Sequence, residues 1–443
     1  MTVIDPFRET RADAEAVALI GSQRAWTYRE LDLAVEGRAD ALRASGCVAG
    51  QVLPLVVDAD ADSVIELLAL WRIGATPAPL NAKLTEPERE AARTALEHAP
   101  AGAQAILWTS GTAGRPRGVV ISFDALGASA HGAAARLELG ADDVWLASLS
   151  PAHVGGLALI TRALLLGSAL VAVGPFDVGR TWGLVRGRGL PVGVAVSVTH
   201  VSLVPTQLLR LLDASGGEAP PASFRCALVG GAGTPRDLLA RALAAGWPVA
   251  LTYGLTEATS QVATASPAHT RLKPGTVGRP LAGASVRIGE DDEILVRGAT
   301  LASGYVGQGV GALVDAEGWH HTGDMGRLDG DGDLWVIGRR ADRIVSGGVS
   351  IDAVEVEEAL RSHAAVADAC VVGIADAEWG ERVAAWIEPA GVAPDLKALD
   401  AYLRTRLAAP KLPRRYHVQP HLPRNANGKV DRATVRDVLS RPG

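Results

Sequence analysis

Apolar positions recur at two different spacings along the first part of the chain. Leu31, Val35, Ala39 and Leu42 fall at helical intervals behind Thr27 and Glu30. That pair is a capping-box pattern, in which hydroxyl and carboxylate satisfy backbone donors at a helix start. Val52–Val57 is a continuous apolar run and reads as a buried strand. Thr85, Pro87 and Glu88 open another helix. Further on, Cys226–Val229 reads as a strand, a helix starts near Pro235, and Val249–Thr252 reads as the next strand. The alternation predicts an α/β fold of stacked, largely parallel sheets.

The spacing changes near Leu281. Ser285–Ile288, Ile294–Arg297 and Leu334–Ile337 are short alternating runs parted by Gly and Asp turns, predicting an antiparallel, barrel-like section. A charged stretch, Arg339-Arg340-Ala341-Asp342-Arg343, then leads into a compact α+β pattern. In it Asp352 and Glu355 cap a helix running to Leu360, and Val366–Val372 reads as a strand. The predicted boundary lies at 338–342, giving a large N-terminal domain (1–338) and a small α+β domain (339–443).

Composition narrows the function classes. A formal charge of −6 offers no basic footprint for nucleic acid. Cys47, Cys226 and Cys370 match no metal-ligand spacing and no disulfide framework, so each reads as a small buried side chain in a reducing compartment. Met1–Thr10 lacks an apolar signal core. The greasiest stretch, Gly155–Phe176, is interrupted by Arg162 and Gly167 and reads as a buried helix followed by a strand, not a membrane span. A cytoplasmic location is expected. Only five lysines occur (Lys83, Lys273, Lys397, Lys411 and Lys429), so each marks a position where arginine was not used.

Four segments carry chemistry. The first runs from Trp108 to Gly118 between two predicted strands, and holds Thr109, Ser110, Gly111, Thr112, Gly114, Arg115 and Arg117. Glycines let backbone N–H groups approach an anion, and hydroxyls and guanidinium groups add donors, so phosphate is the natural ligand. The second is Thr252-Tyr253-Gly254-Leu255-Thr256-Glu257, beyond a strand end, where an aromatic ring can stack on a base and a carboxylate can hold Mg²⁺. The third contains His320, His321 and Asp324. Adjacent histidines on a strand point to opposite faces and share no metal, whereas Asp324, read as a turn residue, can accept both hydroxyls of a ribose. The fourth, Asn425-Ala426-Asn427-Gly428-Lys429, presents a lysine at an Asn-Gly turn.

These four segments, in this order, resemble the adenylate-forming superfamily that includes acyl-CoA synthetases, peptide-synthetase adenylation domains and luciferases. Within it, Ser150–Leu157, Thr199–Leu208, Thr256–Gln261 and Ser346-Gly347-Gly348 are most similar to the o-succinylbenzoate–CoA ligase family of menaquinone biosynthesis. The resemblance implies two steps: a carboxylate attacks the α-phosphorus of ATP, then coenzyme A attacks the acyl-adenylate. It implies ATP, Mg²⁺, coenzyme A and a small carboxylic acid as ligands, and a homodimer at the family level. By the same resemblance Thr109, Ser110, Gly111, Thr112, Gly114 and Arg117 hold the outer phosphates. Tyr253 and Gly254, beside Gly231 and Ala232, contact adenine. Thr256 touches the α-phosphate, Glu257 binds Mg²⁺, and Asp324 and Arg339 hold the ribose. Lys429 reaches the reacting groups only in the adenylating conformation, and the C-terminal domain then turns so that Ser346, Gly347 and Gly348 help form the coenzyme A tunnel. His153, Gly155, Gly156, Arg162 and Ser202 are assigned to the acid. Ala341 departs from the family, which often has Asp or Lys there. Another acyl- or aryl-CoA ligase, or an enzyme that loads a carrier protein, shares the same motifs.

Overall fold

The protein is described from a computed structural model covering residues 2–10, 12–109, 117–194, 196–306, 312–346, 349–376, 379–425 and 429–441. Ser110, Gly111, Thr112, Gly114, Gly347 and Gly348 lie outside the described residues.

The central sheet has eight strands in the order Ser260–Ala265, Val249–Leu255, Cys226–Val229, His200–Leu203, Val144–Leu146, Ala169–Val171, Val17–Ile20 and Ala25–Thr27. All neighbours pair in parallel except at the two edges, where Ser260–Ala265 and Ala25–Thr27 run antiparallel. Such strands are covered on both faces, which explains their continuous apolar runs. Val52–Val57 pairs in parallel with Thr76–Asn81 in a second, smaller sheet. It is half-exposed rather than buried, because a two-stranded sheet leaves one face uncovered. Ala105–Thr109 and Arg117–Ile121 form the antiparallel pair expected around the phosphate-type loop.

The helices start where local chemistry predicts. Thr27 and Glu30 close a reciprocal capping box at Tyr28–Ala44, and Thr85 with Glu88 does so at Glu86–Ala95. The apolar stretch resolves into the helix Val154–Leu166 and the strand Ala169–Val171. Among the described residues no helix is long and apolar enough to cross a membrane.

After Leu281 the antiparallel section forms a four-stranded half-barrel: Ala284–Ile288, Glu293–Gly298, His320–Leu328, Leu334–Arg339. His320 is buried and His321 exposed, as strand alternation requires. Asp324 corrects the sequence reading: it lies within His320–Leu328, paired across the ladder with Arg339, and is not a turn residue. The turn after that strand shows why one lysine was kept. Lys273 places its ammonium 2.9, 2.6 and 2.8 Å from Asp329, Asp331 and Asp333, one N–H for each carboxylate. An ammonium concentrates its three donors on one atom, whereas a guanidinium spreads its donors over three nitrogens in a plane.

From Ile344 onward the chain builds its own sheet and core. Val349–Ile351, Ile344–Ser346, Gly380–Pro389 and Val366–Asp376 pair antiparallel, and Arg415–Val418 joins Gly380–Pro389 in parallel. The helices Ala353–Arg361 and Leu396–Arg404 pack on one apolar cluster and Arg432–Ser440 on another. Arg432 braces this region. It binds Glu357 at 2.7 Å, Asp342 at 3.3 Å and the Val371 carbonyl at 2.8 Å. Of the cysteines, Cys226 and Cys370 are buried as expected, whereas Cys47 is half-exposed at a helix-to-strand turn.

Candidate active site

In parallel sheets ligands bind beyond the carboxyl ends of strands, and here those ends carry the candidate residues. Val249–Leu255 runs straight into Thr256 and Glu257. Gly231 and Ala232 follow Cys226–Val229, exposed, with Gly231 at a positive φ of 78°. Val144–Leu146 leads through a short loop to His153, which stands at the start of the helix Val154–Leu166. Two glycines are sterically required. A methyl group at Gly156 would lie 2.3 Å from the Ser150 carbonyl oxygen, and one at Gly254 would lie 1.9 Å from that of Ser260. Gly155 also sits in the first helical turn, and Ser202 lies buried in His200–Leu203, its carbonyl accepting from the Ser148 hydroxyl.

Tyr253, Asp324 and Arg339 form one polar unit. Tyr253 donates its hydroxyl to Asp324 Oδ2 at 2.7 Å, and Arg339 donates Nε–H to Asp324 Oδ1 at 3.0 Å. Burial and then the Asp324 charge push the Tyr253 phenol well up, so it stays a donor. Burial alone would lower Arg339, but Asp324 outweighs it and the guanidinium is held charged.

Glu257 accepts from the Tyr305 hydroxyl at 3.4 Å, and Arg117 lies over the Tyr305 ring at 5.5 Å. Burial and then Glu257 raise the Tyr305 phenol to about 12. The phosphate-type loop, from its Arg117 end, is thereby tied to Glu257. Tyr305 carried no signal in the sequence. A single carboxylate of this kind suits Mg²⁺, which binds through one or two carboxylates and completes its shell with water and phosphate oxygens. The other acidic cluster among the described residues, Asp329, Asp331 and Asp333, already surrounds the Lys273 ammonium.

Lys429 comes from the far end of the chain into this same group. Its turn is closed by Asn425, whose N–H donates to the Lys429 carbonyl and whose side chain accepts from the Lys429 N–H. Burial, then Arg339, pull its ammonium below the usual lysine range, while Asp324 and Glu257 act in the opposite sense. Its side chain nevertheless remains open to solvent. The ammonium also acts on His153, which burial and then Lys429 and Lys83 hold down to about 4. His153 is therefore neutral at pH 7. Asn81 donates Nδ2–H to His153 Nε2 at 3.0 Å, which leaves the proton on Nδ1. Asn81 and Lys83 are site neighbours to which the sequence reading gave no role.

Arg162 lies deeper. It is 2% exposed and donates Nη2–H to Gln261 Oε1 at 2.7 Å. Its Nε and Nη1 have no hydrogen-bond partner among the described residues. Ser346 is buried at the end of the strand Ile344–Ser346, beyond the short 3-10 helix Arg340–Asp342 that contains Ala341.

The profile of the AMP-binding enzyme family matches residues 7–103 and 94–306, and that of the AMP-binding enzyme C-terminal domain matches 355–429. The chain belongs to the AMP-binding enzyme family. It is 37% identical over 347 residues to a 2-succinylbenzoate–CoA ligase of Bacillus cereus, covering 76% of this chain and 70% of that one. Its fold matches o-succinylbenzoate CoA synthetase (MenE) from Bacillus subtilis in complex with the acyl-adenylate OSB-AMP, at TM-score 0.88 and 29% identity over 100% and 99% of the two chains. The same enzyme with ATP and magnesium ion matches equally, at TM-score 0.88, 29% identity and 100% of both chains. A double mutant of that enzyme bound with its product analogue OSB-NCoA matches at only 0.70, at 29% identity over 100% and 99%. The fold thus matches the nucleotide and adenylate complexes of that enzyme more closely than its OSB-NCoA complex.

Proposed function

We infer that the chain is an ATP-dependent, AMP-forming acid–CoA ligase whose acid is 2-succinylbenzoate, an activity that feeds menaquinone biosynthesis. The observation that carries the reaction type is that the Lys429 ammonium acts electrostatically on His153 and is acted on by Glu257, Asp324 and Arg339, residues far from it in the sequence. In this reading the substrate carboxylate attacks the α-phosphorus of ATP, and the bond to the β-phosphate oxygen breaks with loss of pyrophosphate. The thiolate of coenzyme A, having lost its proton to solvent, then attacks the acyl carbon and AMP leaves.

Charge placement does most of the chemistry. Lys429 lies beside the attacking and attacked groups, and Thr256 donates to the α-phosphate. Thr109, Ser110, Gly111, Thr112, Gly114 and Arg117 hold the outer phosphates. Glu257 would hold Mg²⁺, which offsets phosphate charge when bound. Tyr253, Gly254, Gly231 and Ala232 take the adenine, and Asp324 with Arg339 the ribose. Neutral His153, with Gly155, Gly156 and Ser202, borders the acid. Arg162 receives the carboxylate that does not react, since a buried guanidinium with unused donors calls for an anion.

The same reading divides the chain at 338/339, with 339–443 turning as a unit between the two steps. Ser346, Gly347 and Gly348 then line the coenzyme A tunnel. A cytoplasmic homodimer completes it. The test is AMP release across a panel of acids, with and without coenzyme A. Turnover limited to 2-succinylbenzoate and dependent on coenzyme A is expected. Release that needs a carrier protein instead, or a preference for a monoacid, overturns it.

A further inference from the structure

We propose that Gln261 is a positioning residue that sets acid specificity: its neutral amide aims the Arg162 guanidinium without cancelling the charge that the second carboxylate of the acid must meet. This rests on the reading above, in which Arg162 receives that carboxylate.

Arg162 is a buried cation surrounded by neutral groups. Its one hydrogen bond goes to the Gln261 amide oxygen, and the Trp145 ring lies 5.1 Å from its guanidinium. Burial pushes the Cys226 thiol up to about 12, so it stays neutral beside Arg162. Burial likewise holds His200, whose ring stacks on Trp145 at 4.7 Å, down to about 4. Asp143, buried behind His200, accepts from Arg225 at 2.8 Å and from the Gly140 N–H at 2.8 Å, so its charge is matched by the Arg225 guanidinium. Among the described residues no carboxylate pairs with Arg162, although burial lowers it only to about 10 and it remains protonated at neutral pH.

The amide at 261 cannot turn around. Thr252 donates its hydroxyl to the Ala263 carbonyl at 3.0 Å, so in the 2.9 Å contact between Thr252 and Thr264 the donor is Thr264. Thr264 therefore accepts at its oxygen, and Gln261 supplies that bond from Nε2–H at 2.8 Å. Oε1 is left facing Arg162. The backbone places this relay next to the site. Thr259 and Ser260 both adopt positive φ, 50° and 95°, which reverses the chain directly after Glu257 and sets Gln261 opposite Gly254. A glutamate here would pair with the guanidinium and neutralise it. An apolar side chain would leave it unaimed.

The experiment compares kcat/KM for 2-succinylbenzoate with that for 4-oxo-4-phenylbutanoate, the same acid without the ring carboxylate, and records KM for ATP. Gln261→Glu should lower the diacid-to-monoacid ratio by roughly tenfold or more, the scale for mispairing one polar group in a specificity site, with KM for ATP little changed. Arg162→Ala should collapse the ratio as well. A ratio that survives Gln261→Glu while Arg162→Ala collapses it overturns the role of Gln261 and leaves the acid reading intact. A ratio that survives Arg162→Ala overturns the acid reading and this proposal with it. Should the glutamate variant fail to fold, Gln261→Met keeps the length and removes both hydrogen bonds. An unchanged ratio there also overturns the assignment.

Discussion

Arg339 and Asp324 face each other across an antiparallel ladder, and the guanidinium Nε of one lies 3.0 Å from the carboxylate Oδ1 of the other. Tyr253, 71 residues away in sequence, holds the second oxygen. Each oxygen of the carboxylate is thereby held by one donor and keeps a further lone pair, which is the preorganisation the proposed ribose contact would use.

Replacing Asp324 by Asn keeps the shape and removes the charge. A hydrogen bond to a charged group contributes about 1.5–3 kcal/mol, so ATP affinity should fall roughly tenfold or more. Calorimetric titration with ATP checks this. Unaltered affinity would show that Asp324 serves the half-barrel and not the nucleotide.

Lys429→Ala should cut acyl-adenylate formation by roughly 10²-fold, the scale for removing one donor aimed at a transition state. Given pre-made acyl-adenylate and coenzyme A, the same variant should form thioester at close to the normal rate. Pyrophosphate exchange measures the first step alone. If exchange persists, or both steps fail together, the lysine has another role.

Arg162→Ala should raise KM for 2-succinylbenzoate about tenfold to a hundredfold, because a charge-assisted contact is lost. KM for ATP should move little. Equal increases for both substrates would mark Arg162 as structural.

Stability should fall as the solution is acidified from pH 7 towards 4. Burial holds His200 at about 4 against an ordinary 6.5, so within that window the unfolded chain binds a proton that the folded chain refuses. The contribution is complete above 6.5 and lost near 4, and amounts to about 3 kcal/mol. His200→Phe should flatten the dependence of Tm on pH between 7 and 5. An unchanged slope would remove His200 as its source.

What the sequence revealed and what it hid follow the range of the interactions. The capping boxes at Thr27 and Thr85 involve groups three residues apart, so pattern alone locates them. The strands around the phosphate-type loop were legible for the same reason. Thr-Gly-Asp, by contrast, looks like a turn, and only pairing with Leu334–Arg339 makes Asp324 a strand residue. Arg162 was visible as a charge in a greasy run, but its partner Gln261 lies 99 residues away. Nothing local distinguishes that glutamine from a solvated one, and the same holds for Tyr305 beside Glu257.

The brace made by Arg432 has a bearing on how such an enzyme changes over generations. Three residues beyond Lys429, it locks the lysine-bearing turn to Glu357 and to Asp342 in the linking segment. The groups read here as setting the acid site, His153, Arg162 and Gln261, all precede residue 265 and, among the described residues, share no bond with that brace. A lineage can therefore drift towards a new acid by substitutions in the first part of the gene. The lysine arm is inherited intact.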